Sequence, residues 1–482
     1  MTEPAARKAK RLVFCFDGTW NQLSADRPTN VVQLAQMVVP IAADGTSQIV
    51  YYDEGIGTNM NRLLRIRDGA FGAGMLRIIR EAYRFLIFNY QPGDEIFAFG
   101  FSRGAYTARS FVGFVRHAGI LDVDNANAID RAVAIYRDAR AGEGIESLEG
   151  LRFRSTYCRG VCVSAEDRDY RIANLPGFDP KAVPILTFRY LGVWDTVRAL
   201  GLPEFLPLAG WFNRKYGFHN AVLTSKIKAA RHAVAIDELR PTFRATPFGR
   251  EKVAELNGRT RRKDQPPMPE WLLPYQEKWF PGVHGAVGGG GQRHGLSDGA
   301  LQWVLQGARQ AGLALRDEVD NPSFRLRPAP FEEPPNDPAL PWSSRWPLWP
   351  LRRLFHSPRK GPTGIEEVSL PALRRWHADP ALLPGGKPYR PGALQQCAPA
   401  IEAWGPACRP AWKGPQPDLE EYPVKQGDSL SKLAKARLGD AKRWKELFEL
   451  NRDRIEDPNS LAIGDVLRLP RADQTDASCA EG

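Results

Sequence analysis

No stretch of this 482-residue chain approaches the ~18 consecutive apolar residues of a membrane-spanning helix. The apolar run near the start, Leu12 to Phe16, follows basic residues as the core of a signal peptide would. It falls short of the ~7–15 residues such a core needs, and reads instead as a buried first strand. The chain is therefore expected to be synthesised in the cytoplasm without a signal peptide, and any export would need a machine that reads none. Cysteines are few and scattered, at positions 15, 158, 162, 397, 408 and 479. Cys158 and Cys162 lie four apart, but no second pair or nearby histidine completes a zinc site, so no metal is expected. Cys397 and Cys408 suit a disulfide only in an oxidising compartment; free thiols are the simpler expectation. Zinc-finger spacing, an RNA-recognition motif and a basic stripe at helical spacing are all missing, which argues against nucleic acid as a partner.

What the sequence does have is an excess of cations, with a formal net charge of +11. That favours an anionic partner, whether nucleic acid, a phospholipid surface or a cell-wall polymer, without choosing among them. The densest basic run, residues 259–264, reads as a solvated loop.

The first 120 residues alternate between strand-like and helix-like segments. Leu12–Phe16 leads into the turn Asp17-Gly18-Thr19, and Asn30–Val39 has apolar residues at helical spacing. Gln48–Tyr52 reads as a strand, and Gly74–Tyr90 as an amphipathic helix with Leu76, Ile79, Tyr83, Leu86 and Ile87 on one face. Further strands are expected within 183–197, ending near Asp195, and at the start of 278–290, which runs into a glycine-rich loop holding His284. Residues 296–312 read as a helix with Ser297 as N-cap. Such alternation predicts an α/β fold with a mostly parallel sheet covered on both faces. Residues 320–417 hold 21 of the chain's 40 prolines, so coil and linker are expected there.

The chemistry centres on Gly100-Phe101-Ser102-Arg103-Gly104, which follows an apolar strand and opens a helix. A serine hydroxyl needs a neighbouring base to act as a nucleophile. A strand–turn–helix elbow thrusts it above the sheet, and the flanking glycines avoid collisions in so tight a bend. The Arg103 backbone N–H would face the developing oxyanion, with Gly18 or Thr19 supplying a second donor. Asp195 and His284 follow in the order expected for an α/β-hydrolase, both near strand ends where open α/β sheets bind ligands. His284 would take the Ser102 proton, and Asp195 would hold the imidazole's tautomer. Asp298 is the reserve acid; His219, His232 and His294 are reserve bases.

The blocks "FCFDGTWN", "TNVVQLA", "YDEGIGT", "FGFSRGAYTAR", "GVWDTV", "ARHAVAID" and "WFPGVHGAVGGG" followed by "LSDGALQWVL" carry a resemblance. In that order they resemble the α/β-hydrolase domain of type VI secretion phospholipase effectors and related bacterial proteins. The segment "SLPALRRWHADP" through "YRPGAL" is similar to that domain's closing portion, so the resemblance spans about residues 10–396. It implies an acyl hydrolase acting on glycerophospholipid at a membrane surface, with no cofactor, and with Ser102, Asp195 and His284 in the triad positions. Where the resemblance leads one to expect an acidic residue in the histidine loop, this chain has Ala286.

Residues 422–470 read βααβ: strand Tyr422–Lys425, helix Ser429–Leu438, helix Arg443–Asn451 and strand Val466–Leu469. The unit resembles a LysM domain along its entire length. The resemblance implies binding to N-acetylglucosamine-containing glycan, usually peptidoglycan, in a groove formed by Gly427, Asp428, Ser429 and Leu430 with Asn459, Ser460, Leu461 and Ile463; a module used only for docking is the bland alternative. The expected organisation is thus a hydrolase domain over 1–396 with proline-rich lid or insertion segments, a linker over 397–420, the LysM domain over 421–471 and a tail over 472–482. Residues 341–360 mix Trp, Leu and Phe with Arg and Lys, a pattern that suits either a phospholipid interface or coil packed on the hydrolase.

The leading expectation is a phospholipase A delivered into a target cell's periplasm by a contact-dependent machine, with secretion-machine and immunity proteins as partners. The alternatives are a cytoplasmic esterase or lipase with no secretion role, and a catalytically silent hydrolase fold that serves as an adaptor.

Overall fold

The computed structural model describes residues 8–18, 28–55, 70–138, 146–197, 222–240, 243–260, 270–316, 324–329, 358–407, 419–451, 454–455, 458–459, 461 and 465–470. The chain divides into two compact units, one of residues 1–265 and 274–360, the other of 266–273 and 361–482. The segment 361–396, expected to close the hydrolase domain, groups with the second unit.

The first unit is built on a parallel six-stranded sheet of order β2-β1-β3-β4-β5-β6. The strands are β1 (Arg11–Phe16), β2 (Gln48–Asp53), β3 (Glu95–Phe101), β4 (Tyr190–Trp194), β5 (Ala230–Ala235) and β6 (Tyr275–Phe280). Strand parity explains why β1, β3 and β4 are apolar almost from end to end, because successive side chains point to opposite faces and both faces are covered. Leu12, Phe14 and Phe16 of β1 with Ile96 and Ala98 of β3 pack into one layer. That layer holds α2 (Ala70–Asn89) through Ile79, Tyr83 and Leu86, and α3 (Arg103–Ala118) through Phe111 and Phe114. Val13 and Cys15 with Phe97, Phe99 and Phe101 enter the other layer, beside Val31 and Leu34 of α1 (Asn30–Met37) and Leu301 and Val304 of the helix Gly295–Gln310. The α/β expectation holds, with helices on both sides.

The strand order reverses between β1 and β3, which neighbour each other while their chain continuations diverge. A crevice opens at such a switch point, beyond the carboxyl ends of the strands. The Asp17-Gly18 loop and Ser102 both lie there.

Several local expectations shift. The expected strand over 183–197 is regular only from Tyr190 to Trp194, because Pro184 precedes a stretch that makes isolated bridges. Strand β5 carries Arg231 and His232 amid its apolar residues, which breaks the pattern and hides it from a sequence reading. The glycine-rich stretch after β6 folds as a short helix, His284–Gly288, rather than a loop. The next helix starts at Gly295, so His294 rather than Ser297 holds the cap position; the Ser297 hydroxyl donates to the His294 carbonyl inside the first turn.

In the second unit, short helices Leu370–His377 and Ala398–Ala407 interrupt the proline-rich stretch. The expected linker therefore begins in a helix, whose Pro399 sits in the first turn where a missing N–H costs no helical bond. The βααβ module forms as expected: β7 (Leu419–Pro423) pairs antiparallel with β8 (Val466–Pro470), and the helices Leu430–Leu438 and Trp444–Leu450 lie between them in sequence. Leu430, Leu433, Leu447, Leu467 and Leu469 fill its core.

Candidate active site

Ser102 links β3 to α3 with φ 60° and ψ −124°, a left-handed conformation that disfavours any side chain. The sequence forces it. A Cβ on Gly100 would lie 2.5 Å from the Gly104 carbonyl oxygen, and one on Gly104 would overlap the Phe16 and Asp17 carbonyls. Ser102 occupies the N-cap position of α3, where a serine ordinarily accepts from the helix's first N–H groups; here it makes no capping bond. Its Oγ lies instead 2.7 Å from His284 Nε2. Ser102 is buried, with 6% of its surface exposed.

His284 Nδ1 lies 2.5 Å from Asp195 Oδ2. The Asp195 backbone also takes positive φ, at 37°, directly after β4. Three strand ends thus contribute one residue each to a continuous chain of hydrogen bonds, Ser102–His284–Asp195. The imidazole is held between the Phe101 and Phe243 rings, with centroids 4.6 and 4.8 Å away. A Cβ on Gly288 would overlap the Phe101 ring, which accounts for a glycine in the histidine segment. Glu238, after β5, accepts the His284 backbone N–H at 3.3 Å. Burial pushes the Glu238 carboxyl up, but hydrogen bonds and charge from Arg240 win and hold it below the usual range.

Asp195 is fully buried, and every lone-pair direction of its carboxylate is used. Oδ1 accepts from the Ala235 N–H at 2.9 Å and from Arg359 Nη1 at 2.6 Å. Oδ2 accepts from His284 and from Arg359 Nη2 at 2.9 Å. Burial alone would raise its pKa; the Arg359 charge and the His284 hydrogen bond overcome that and hold the acid well below the ordinary carboxylate range. Nothing in the local sequence marks Arg359, which stands in "HSPRK" in the middle of the proline-rich stretch 320–417. Of the two readings of 341–360, the only described part, 358–360, packs on the hydrolase; 341–357 lie outside the described residues.

A second polar chain supports the Asp195 turn. The Thr196 N–H donates to His232 Nε2 at 3.1 Å, and His232 Nδ1 lies 2.7 Å from Glu277 Oε2. Burial lowers the His232 pKa against the opposing pull of Glu277, so its neutral form donates from Nδ1 and accepts at Nε2. His232 therefore braces the acid turn and does not reach Ser102. Asp298 Oδ2 accepts the Arg327 N–H at 2.8 Å. His219 lies outside the described residues, and His294 has the capping place already given.

Of the expected oxyanion donors, Arg103 begins α3, the end of a helix that favours negative charge. Burial lowers its guanidinium pKa to about 10. The Gly18 N–H donates to Asp17 Oδ1 at 2.6 Å, and Thr19 lies outside the described residues. Asp17 Oδ2 in turn accepts from Thr29 Oγ1 at 2.6 Å and from the Tyr52 hydroxyl at 2.9 Å, tying the loop to α1 and β2.

In the LysM-like module Gly427 has φ 80° and lies exposed beside Asp428, whose Oδ2 accepts from the Lys425 N–H and the Tyr422 hydroxyl. Ser429 caps the following helix. The Leu430 side chain is buried in the core; Asn459 is exposed and Leu461 half-buried. Ser460 and Ile463 lie outside the described residues.

A family model described as T6SS, phospholipase effector Tle1-like, catalytic domain matches residues 10–307, and a LysM model matches 422–470. The uncharacterized protein YEL023C of Saccharomyces cerevisiae is 26% identical over 256 residues, which cover 50% of this chain and 33% of that protein. The potassium binding protein Kbp of Escherichia coli is 39% identical over 49 residues, covering 10% of this chain and 33% of Kbp. The chain thus spans about a third of the length of these curated relatives. Two solved structures, each 20% identical with a TM-score of 0.33, are a Tle1 effector bound to the VgrG spike of the type 6 secretion system and an uncharacterized protein from Pseudomonas aeruginosa. They are matched over 60% and 65% of this chain, and over 52% and 47% of their own chains. Because the catalytic-domain match covers more than half of the sequence, this chain belongs to the T6SS phospholipase effector Tle1-like catalytic domain family, and it carries a LysM domain near its carboxyl end.

Proposed function

We propose that the protein is a serine acyl hydrolase that cleaves the carboxylic esters of membrane phospholipids, a phospholipase A. The observation that carries this reading is the hydrogen-bond chain from Ser102 Oγ through His284 to Asp195. His284 Nε2 accepts the Ser102 proton as Oγ attacks the ester carbonyl carbon. The tetrahedral oxyanion is met by the Arg103 N–H, with Thr19 the remaining candidate for a second donor because the Gly18 N–H is engaged by Asp17 Oδ1. The imidazolium, stabilised by Asp195, returns its proton to the departing alkoxide. Water then attacks the acyl-enzyme with His284 again as base, releasing the fatty acid and Ser102.

The LysM domain is read as an anchor on peptidoglycan or another N-acetylglucosamine-containing glycan, and the spike of a type VI machine as the route of delivery. A phospholipase held at the wall has the outer leaflet of the inner membrane within reach, so its place of action is the target cell's periplasm, with an immunity protein guarding the producer. A second reading is a hydrolase that works inside its own cell with no secretion role.

Release of fatty acid from defined phospholipid vesicles tests the chemistry. Ser102→Ala should lose on the order of 10⁴–10⁶ in rate, His284→Ala should match it, and retained activity in Ser102→Ala would end this reading. Expression in a susceptible host, with and without an added export signal, tests the compartment. Lysis that requires both the signal and Ser102 supports periplasmic action; equal toxicity with and without it favours the second reading. A chain ended near residue 415 should keep ester hydrolysis and lose co-sedimentation with peptidoglycan.

A further inference from the structure

Arg359 meets the triad acid fork to fork: Nη1 on Oδ1 at 2.6 Å, Nη2 on Oδ2 at 2.9 Å. The guanidinium is itself buried, with 5% of its side chain exposed. Nη1 also donates to the Ala235 carbonyl at 2.9 Å, and Nη2 to the Phe243 carbonyl. These contacts fix the cation to the loops after β5, independently of Asp195. Arg359 lies more than fifty residues beyond the end of the family match, so the chain brings in this partner from outside the matched catalytic region.

A buried bidentate arginine does two things to a carboxylate. It locks the plane of the group, because two parallel N–H···O bonds forbid rotation. It also offsets the negative charge that would otherwise favour protonation of the neighbouring imidazole. Asp195 in an ordinary triad does both the orienting and the charge stabilisation; here the orientation is reinforced while the charge is shared.

We propose that Arg359 is a positioning residue of the catalytic site, which holds the Asp195 carboxylate in register with His284 and offsets the carboxylate charge that faces the imidazole. The proposal rests on the Ser102–His284–Asp195 reading. The charged groups around the imidazole are Asp195 after β4, Glu238 after β5 with its partner Arg240, and Arg359. Ser102 and the rings of Phe101 and Phe243 complete its surroundings, with Glu277, His232 and Arg109 behind the acid turn. Among these, Arg359 is the cation bonded directly to the triad acid. Its removal must raise the proton affinity of the coupled Asp195–His284 pair, whichever residue carries the proton.

The test is the pH dependence of the rate at which a fluorophosphonate labels Ser102 in the full chain, a reaction in which Oγ displaces fluoride and the proton passes to His284. In Arg359→Met the rate at pH 8 should fall at least ~10-fold, and its acid-limb midpoint should move up by about one pH unit or more, as expected for loss of a buried charge partner. Arg359→Lys keeps the charge and loses the fork, so its rate should fall while the midpoint stays close to wild type. Millimolar guanidinium should restore part of the rate in Arg359→Ala. Folded Arg359→Met that labels at the wild-type rate with an unchanged profile would overturn the proposal. So would a slow variant with an unmoved midpoint and no guanidinium rescue, which would mark a purely structural role. If Arg359→Met does not fold, Arg359→Lys decides, and a rate within about twofold of wild type counts against the fork. Failure of wild type to label at Ser102, by contrast, would remove the triad reading itself.

Discussion

Gly104 of α3 sits directly under the carbonyl of Asp17, so close that a side chain at 104 would occupy the space of the Phe16 and Asp17 oxygens. The helix that follows Ser102 and the loop after β1 are therefore packed backbone to backbone. Gly104→Ala should push that loop away from Ser102. Overpacking of this kind costs about 1–3 kcal/mol, and a displacement of about 1 Å near the reacting atoms costs roughly 10²-fold in rate. Comparing the thermal midpoint and the ester-hydrolysis rate of Gly104→Ala with wild type checks both; wild-type values for both would mean the contact is not a constraint.

Ser102 holds φ 60° and ψ −124° without a capping bond to compensate. A non-glycine residue in so sparsely populated a region stores about 1–3 kcal/mol. Ser102→Gly should therefore abolish hydrolysis and yet raise the melting temperature by a few degrees, on the order expected for such a gain in a large domain. A lowered melting temperature would show that the hydroxyl's bond to His284 outweighs the backbone strain.

The members of the hydrogen-bond chain Ser102–His284–Asp195 were legible because each sits where a short-range pattern meets a strand end: glycines around Ser102, an apolar run before Asp195, and a strand before His284. Arg359 was not legible, since its bond to Asp195 joins residues 164 apart through a proline-rich stretch with no periodicity. Strand β5 was missed as a strand for a different reason. Its Arg231 and His232 are buried polar residues whose partners, the Trp303 carbonyl at 2.5 Å and Glu277, come from remote segments. Local pattern conveys which residues alternate or turn; it does not convey which distant group will satisfy a buried charge.

His232 and Glu277 give a third expectation. Glu277 accepts from His232 and from the N–H groups of Phe248 and Gly249, so this one carboxylate anchors both the acid turn and the 246–249 loop. In His232→Phe the buried Thr196 N–H and one Glu277 bond lose their partner, each at about 1–3 kcal/mol. The turn carrying Asp195 should loosen, so turnover should drop while binding of short esters is little changed. A fall in KM-normalised rate that tracks only the loss of folded protein would reduce His232 to a packing role.

His117 supplies an expectation about acid stability. It is buried in α3, with 4% of its surface exposed and Nδ1 2.7 Å from the Gly113 carbonyl. Burial lowers its pKa from 6.5 to about 4; the Gly113 bond opposes this, and the Arg116 and Arg154 charges add to it. The unfolded chain thus binds a proton near pH 6.5 that the folded chain refuses until about pH 4. Stability rises with pH wherever the unfolded state holds more protons, so the fold should weaken as pH falls through that window and gain no further loss from this group below it. The gap corresponds to at most on the order of 3 kcal/mol. His232 shifts in the same direction and adds to the slope. Replacing His117 with Asn, whose amide nitrogen can stand near the Nδ1 position, removes the titrating group and keeps a donor for Gly113. The drop in thermal midpoint between pH 7 and pH 4.5 should then be smaller in His117→Asn than in wild type, with a residual drop left from His232 and from the carboxyls of Asp195 and Glu238 that the fold holds below their ordinary range. An identical drop in the two proteins would show that His117 takes up its proton alike in the folded and unfolded chains.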